Sequence, residues 1–340
     1  MRTILLIRMP PKPKYTEVDY ISFLMGAQCE LSCIRGADCF PTDSFNISHD
    51  AVNRFLLREP LSTEALWNEV KPFVDLKSGW LVADDTVIDK IHSKKMEGTY
   101  FQWSGKHRTV VRGIGLISLI WTDGEHTFPI NYRIYDIDND GKTKNDHFWD
   151  MLQEAYNKGF RPYFVLFDSW YSSVANLKFI RNLGLNWFSR LKRNRSVSPE
   201  KDNKTDLQSM DLHLGDQDGR EVHLKAYGFV KIFVSLNKAG NRCYWATNFL
   251  TMDNYGLQNL EDICWNIENC HRVIKEVCNV EKCKLRKGIG QRNHINCSLR
   301  AYVRFEVNFL ENGQTPYDAN WEIVRLGITD FMKNRARNFF

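Results

Sequence analysis

Three acidic positions stand where carboxylates can do chemistry. Asp84 follows the apolar run Trp80-Leu-Val-Ala, Asp168 follows Phe164-Val-Leu-Phe, and Glu268 lies within the stretch Ile263–Lys275. That stretch carries a buried stripe at helical spacing, Ile263, Ile267, Cys270, Ile274 and Val277. Glu268, Arg272 and Lys275 line the opposite face at i, i+4 and i+7. Two acids at strand ends and one on a helix are what divalent-metal phosphoryl transfer requires. Hard cations take few carboxylates and leave the rest of their shell to water and phosphate. Asp84, Asp168 and Glu268 are therefore the candidate catalytic and metal-binding residues, for two Mg2+ or Mn2+ ions about 4 Å apart. Asp85 rivals Asp84, since adjacent strand residues face opposite sides and only one of the pair can face the ions. His271 reads equally as a phosphate-contacting side chain and as a plain surface residue.

Other constellations carry less. Asp136, Asp138 and Asp140 are too irregular for a twelve-residue calcium loop and read as a solvated turn. Cys29, Cys33 and Cys39, like Cys278 and Cys283, lack a second pair at finger spacing and read as buried or idle thiols. No Gly-x-Ser-x-Gly elbow supports a serine hydrolase. Trp170 and Trp265 could stack on an unpaired base, although such residues are more often core.

The overall charge of +5 hides its distribution. Residues 89–112 hold six Lys/Arg against two acids, 188–204 six against two, and 269–304 nine against two. Positive charge gathered in three segments suggests a polyanion track. Nine scattered cysteines in 340 residues argue for reduced thiols rather than a disulfide framework. The N-terminal apolar run is too short for a signal peptide, and no stretch reaches membrane-spanning length. A soluble protein without a membrane partner, located in the cytoplasm, is expected.

These residues need elements to position them. Residues 1–15 read as an extended Pro-rich arm, and 16–76 as a small helical domain. Within it, Ser48–Arg58 reads equally as a DNA-recognition helix and as a cap on the core. Strands follow at Gly79–Ile88, Thr109–Trp121 and Thr127–Tyr135, the last after an Asp123-Gly124 turn. A helix over Lys144–Lys158, the strand Phe164–Asp168 and a helix over Asn176–Leu183 complete a mixed sheet with helices on both faces. Strands at Trp187–Leu191, Val222–Tyr227, Val230–Ser235 and Cys243–Phe249 form a β-rich insertion over 187–250, with a polar loop Asn194–Asp206. The core spans 77–186 and 251–310, with a helix from about His294 to Leu310, and 311–340 is a tail without clear signal. The fold class is α/β.

The words Asp84-Asp85-Thr86, Asp168-Ser-Trp-Tyr171 and Glu268-(six residues)-Lys275 resemble the bacterial insertion-sequence transposases of the DDE type. More narrowly they are similar to the cut-and-paste group with a Tyr-(2)-Arg-(3)-Glu-(6)-Lys element and a β-strand insertion. Gly105-Lys-His, Pro129-Ile-Asn-Tyr-Arg-Ile-Tyr135, Lys142-Thr-Lys-Asn-Asp-His147 and Trp265-Asn-Ile-Glu268 share that look. The resemblance runs from about residue 17 to 305. It implies an RNase H-like core, with the β-rich insertion between the second and third acids. It also implies Mg2+-dependent cleavage and joining of transposon ends, a homodimer on double-stranded DNA, and a nucleoid-associated bacterial protein. Asp84, Asp168 and Glu268 match the metal-binding acids, and Lys275 the cation that contacts phosphate. Arg272, His271, Lys282, Lys284, Arg286 and Lys287 join Lys275 as DNA-binding candidates. Glu261 stands where Tyr is expected and Cys264 where Arg is, so a guanidinium able to hold a phosphate bidentately is missing there. The alternatives are a catalytically inactive DNA-binding relic and a host RNase H-fold nuclease or resolvase.

Overall fold

The computed structural model describes residues 15–27, 31–41, 46–200 and 203–338. Cys29 and all but the last residue of the 1–15 arm lie outside them. Four helices come first: α1 (Glu17–Gly26), α2 (Cys33–Asp38), α3 (His49–Leu56) and α4 (Thr63–Val70). Strands β1 (Trp80–Asp89), β2 (Tyr100–Ser104), β3 (Thr109–Thr122) and β4 (Thr127–Tyr135) follow. After the single turn α5 (Ile137–Asp140) come α6 (Lys144–Asn157), β5 (Phe164–Phe167), α7 (Val174–Asn182) and β6 (Trp187–Leu191). Next are β7 (Ser196–Glu200), β8 (Asn203–Asp206), β9 (Arg220–Leu224), β10 (Gly228–Leu236) and β11 (Arg242–Thr247). Three long helices close the chain: α8 (Asn254–Glu276), α9 (Gly288–Asn312) and α10 (Pro316–Asn338).

At the centre, β3 runs antiparallel to both β1 and β4, while β5 runs parallel to β1 and to β6. The order β4-β3-β1-β5-β6, flanked by helices, is an RNase H-like mixed sheet. Local chemistry sets its first hairpin. Asp123 Oδ1 accepts the N–H groups of Glu125 and His126, and Gly124 takes a φ of +105° that a side chain would resist. Pro129, which has no N–H to give, lies in β4 beside a register shift at Leu119/Ile120.

β6, expected at the head of the insertion, pairs with β5 in the core sheet. β11 then pairs with β6, and β10, β9, β7 and β8 follow in order, so one sheet of eleven strands runs through core and insertion. The expected polar loop Asn194–Asp206 is largely the β7–β8 hairpin. The tail without signal is mostly α10, which packs on α9 and α1. Asp136 is also a correction. It is buried, accepting from Tyr100 Oη at 2.6 Å and paired with Arg292 at 2.5 Å, rather than solvated. Among the described residues no helix is long and apolar enough to cross a membrane.

α1, α3 and α4 pack on α9, whose inner face carries polar keys rather than only apolar side chains. Asn293 bonds the backbone at Leu56 and Leu61, and Arg300 pairs with Glu17 and Glu69. The inner face of α3, Val52, Phe55 and Leu56, is buried in the common core. His294 donates from Nε2 to the Asn279 carbonyl at 3.1 Å and accepts from Tyr20 Oη at 2.9 Å. A neutral imidazole satisfies both bonds without burying a charge. Burial, helped by Lys90, accordingly lowers its pKa to about 3.

That shift has a sign. The unfolded imidazole takes up a proton below about pH 6.5 and the folded one does not, so stability is complete above 6.5 and drains as the pH falls toward 3. His294 should therefore cost about 2 kcal/mol between pH 7 and pH 5. Urea unfolding at the two pH values should show a smaller loss in His294→Gln than in the unaltered chain. An equal loss in both would remove His294 as the cause.

Candidate active site

Ala83, Phe167 and Ser189 stand level across β1, β5 and β6. The next residues, Asp84, Asp168 and Arg190, therefore follow side by side where these parallel strands lead out of their pairing. Cys264, Ile267 and Glu268 of α8 and Trp245 of β11 complete the lining of a cavity of about 220 Å³. The three expected acids thus open onto one space, although 184 residues separate Asp84 from Glu268 in sequence.

Alternation along β1 separates Asp84 from its rival. Asp84 lies level with Ser118, whose hydroxyl meets His271 of α8 at 3.2 Å, so Asp84 is on the face that α8 covers. Asp85 points to the other face, where Lys144 Nζ donates to it at 2.6 Å and Tyr171 Oη at 3.0 Å. Lys144 is delivered by the start of α6. There Thr143 and Asp146 cap each other reciprocally, which accounts for the Lys142–His147 word.

Charge accumulates on the α8 face. Burial, then the carboxylates of Asp85, Asp168 and Glu268, push the pKa of Asp84 well above the usual carboxylate range. Burial and Asp168 also raise Glu268, against the opposing fields of Arg190, Arg272 and Lys238. A buried carboxylate facing like charge is what a divalent cation would relieve, and an all-oxygen donor set suits a hard one. Among the described residues no three His, Cys, Asp or Glu side chains converge on a single ligating point. The trio shares a cavity rather than one coordination centre.

The cationic candidates divide between places. Lys282, Lys284 and Arg286 line a larger groove, about 1140 Å³, together with Lys90, Lys94 and Lys95 from the segment after β1. This groove is bigger than the acid cavity and holds none of the three acids; Asp89 and Glu281 line it beside the cations. Lys275 lies near it, mostly buried and 3.8 Å from Glu281, and burial lowers its pKa. Arg272 is exposed and lies over the Trp265 ring at 5.6 Å.

One expectation needs correction. His271, read as a possible phosphate contact, is buried against Ser118, and burial takes its pKa to about 3. Lys287, a DNA-binding candidate, is exposed and pairs with Glu97 at 3.0 Å, which also accepts the Gly288 N–H. Both tryptophans offered for stacking are exposed rather than core, Trp170 by 59% and Trp265 by 39%. Among the described cysteines, Cys270, Cys278, Cys283 and Cys297 are buried.

Arg190 was missed in the sequence. Its one signal was membership of the basic segment 188–204 that follows the second acid strand. Only the parallel pairing of β6 with β5 brings it beside Asp168.

Comparisons with known proteins bear on the fold and the family. The chain is similar in structure to the piggyBac transposase in a synaptic complex with hairpin DNA. The TM-score is 0.51 at 11% identity, covering 94% of this chain and 71% of that one. At that identity the likeness is one of fold. A strand transfer complex of the Drosophila P element transposase aligns at a TM-score of 0.26 and 12% identity, over 53% of this chain and 37% of that one. That likeness is too slight to bear on the fold. No curated protein matches. The DDE superfamily endonuclease pattern matches residues 44–223, a span that holds Asp84 and Asp168 and stops short of Glu268. With more than half its length matched, the chain belongs to the DDE superfamily endonucleases.

Proposed function

We propose that this protein is a DNA transposase that cleaves and joins strands at the ends of an insertion sequence. The observation that carries the reading is the shared cavity of Asp84, Asp168 and Glu268 in an RNase H-like sheet. Asp84, Asp168 and Glu268 would hold two Mg2+ or Mn2+ ions. When bound, such ions activate an attacking oxygen and stabilise a leaving one in an in-line displacement at phosphorus. The attacking oxygen is first water, which frees a 3′-hydroxyl, and then that hydroxyl, which joins the end to target DNA. Lys94, Lys95, Lys282, Lys284 and Arg286 would seat backbone phosphates of double-stranded DNA in the larger groove, fixing position rather than reading bases. The bacterial host, the cytoplasmic site of action and the homodimer follow from the sequence resemblance.

The test is nicking of duplex DNA that carries the inverted repeats flanking the gene. Wild type should nick it only with Mg2+ or Mn2+, and chelation should stop the reaction. Asp168→Asn should be at least about a hundredfold slower, as expected when a metal-holding carboxylate is lost. Equal cutting by both proteins would take Asp168 out of the mechanism. DNA binding without any cutting would mark a relic, and cutting of branched substrates without preference for the repeats would mark a host nuclease.

A further inference from the structure

Arg190 is the one cation lining the acid cavity among the described residues. It sits at the end of the row Asp84, Asp168, Arg190, one residue beyond the level Ala83–Phe167–Ser189. No carboxylate among the described residues lies within ion-pair distance of its guanidinium. An aromatic ring supports it instead. The guanidinium lies 4.6 Å from the centre of Trp245, its cross-strand partner on β11. That ring is itself held on two sides. It stacks on Phe188 at 4.7 Å and 8°, and its indole N–H donates to Ser235 Oγ at 2.9 Å. Ser235 in turn donates to Glu261 Oε1 at 2.5 Å, seven residues before Glu268 on α8.

This arrangement holds a planar cation by its face and leaves its N–H edge without a protein carboxylate. Stacking fixes orientation without consuming the donors, which is the condition for gripping an oxyanion bidentately. The anion such a fork fits, beside three carboxylates, is one brought by the substrate. Cys264, which also lines the cavity from α8, offers no positive charge of its own. Arg190 therefore supplies from the sheet a charge that the helix lacks.

We propose that Arg190 binds the scissile phosphodiester of DNA through its non-bridging oxygens, opposite the carboxylate trio. Trp245, Ser235 and Glu261 act as positioning residues behind it. This inference rests on the DNA-cleaving reading above and adds the residue that places the phosphate. The field of Arg190 also opposes the rise in the Glu268 pKa, which agrees with a guanidinium directed into the cavity.

The experiment uses the full chain and has two arms. In the first, nicking of supercoiled plasmid DNA with Mg2+ is followed as kcat and KM. Arg190→Ala should lower kcat at least about thirtyfold with KM within about threefold, because many other phosphates hold the DNA. Arg190→Lys should recover no more than about a tenth of the lost rate, since an ammonium cannot reproduce the fork. Full activity in either variant overturns the proposal. In the second arm, Ca2+ replaces Mg2+ and binding to a plain duplex is measured against salt. Loss of one phosphate contact should reduce the slope of log Kd on log salt by about 0.9 in Arg190→Ala. An unchanged slope overturns the proposal whether or not the wild type cuts. A wild type that binds DNA but never nicks it would instead defeat the cleavage reading, with Arg190 still judged by the slope.

Discussion

Asp84→Asn is expected to abolish metal-dependent DNA cleavage while making the protein more stable. Asp84 feels the charges of Asp85, Asp168 and Glu268, and its pKa is raised by burial and by those charges. A carboxyl whose folded pKa lies above its unfolded one is penalised by ionisation. The penalty is absent below the unfolded value and sets in as pH rises above it, so it is in force near neutrality. Asn removes the charge and keeps the shape, which should stabilise the fold. The same change removes an ion-holding group, and a loss of about a thousandfold or more in nicking rate is expected.

Asp85→Asn should behave in the opposite way. Its carboxylate is satisfied by Lys144 and Tyr171, so its removal leaves Lys144 without its ion pair. Stability should fall there, while the acid cavity keeps its three members. Urea midpoints and nicking rates for the two variants decide the matter. If Asp84→Asn cuts normally and Asp85→Asn does not, the assignment of the first acid is reversed.

The second large effect lies far from the cavity. Arg300 is almost buried on α9 and pairs with Glu69 at 2.6 Å and also with Glu17, tying α4 and α1 to the same helix turn. Arg300→Met strands two carboxylates at a helix interface and should cost about 3 kcal/mol. The triple change Arg300→Met, Glu17→Gln, Glu69→Gln removes the uncompensated charge and should recover most of that loss. Amide exchange should localise the effect, with α1 losing protection before β1 and β5 do. A single variant within about 0.5 kcal/mol of wild type would show that the guanidinium is not what anchors these helices.

Local pattern made much of the core legible. β4 is Thr127–Tyr135 as expected, and β3 differs from its expected span by one residue, because β-branched and aromatic runs bounded by Asp123-Gly124 leave little choice. The stripe on α8 also read correctly, with Ile263, Ile267, Cys270 and Ile274 all buried. What failed was whatever depends on partners distant in sequence. β7 and β8 hold Ser196, Ser198, Asn203 and Thr205, polar residues that pair through backbone alone and show no apolar alternation. α10 carries Trp321, Leu326 and Ile328 exposed among charges, so it has no single buried stripe to announce it.

The site divides in the same way. Asp84 and Asp168 stand out because an acid ending an apolar run is conspicuous, and Glu268 because it lies opposite the apolar stripe of its helix. Arg190 does not, because an arginine alternating out of a short strand resembles any surface cation. Lys275, Arg272 and His271 share one helix in sequence but meet three surroundings: near Glu281, on the Trp265 ring, and against Ser118.

The uninterrupted ladder from β5 through β6 to β11 has a mechanical consequence. Asp168 rides at the end of one rung, Arg190 on the next, and Trp245 on the one after. Any twisting of the segment beyond β6 would be transmitted through shared backbone bonds to the wall that faces the carboxylates. That module cannot swing as a loose flap, so a partner that bears on its far edge would tune the width of the reaction chamber by bending a single sheet.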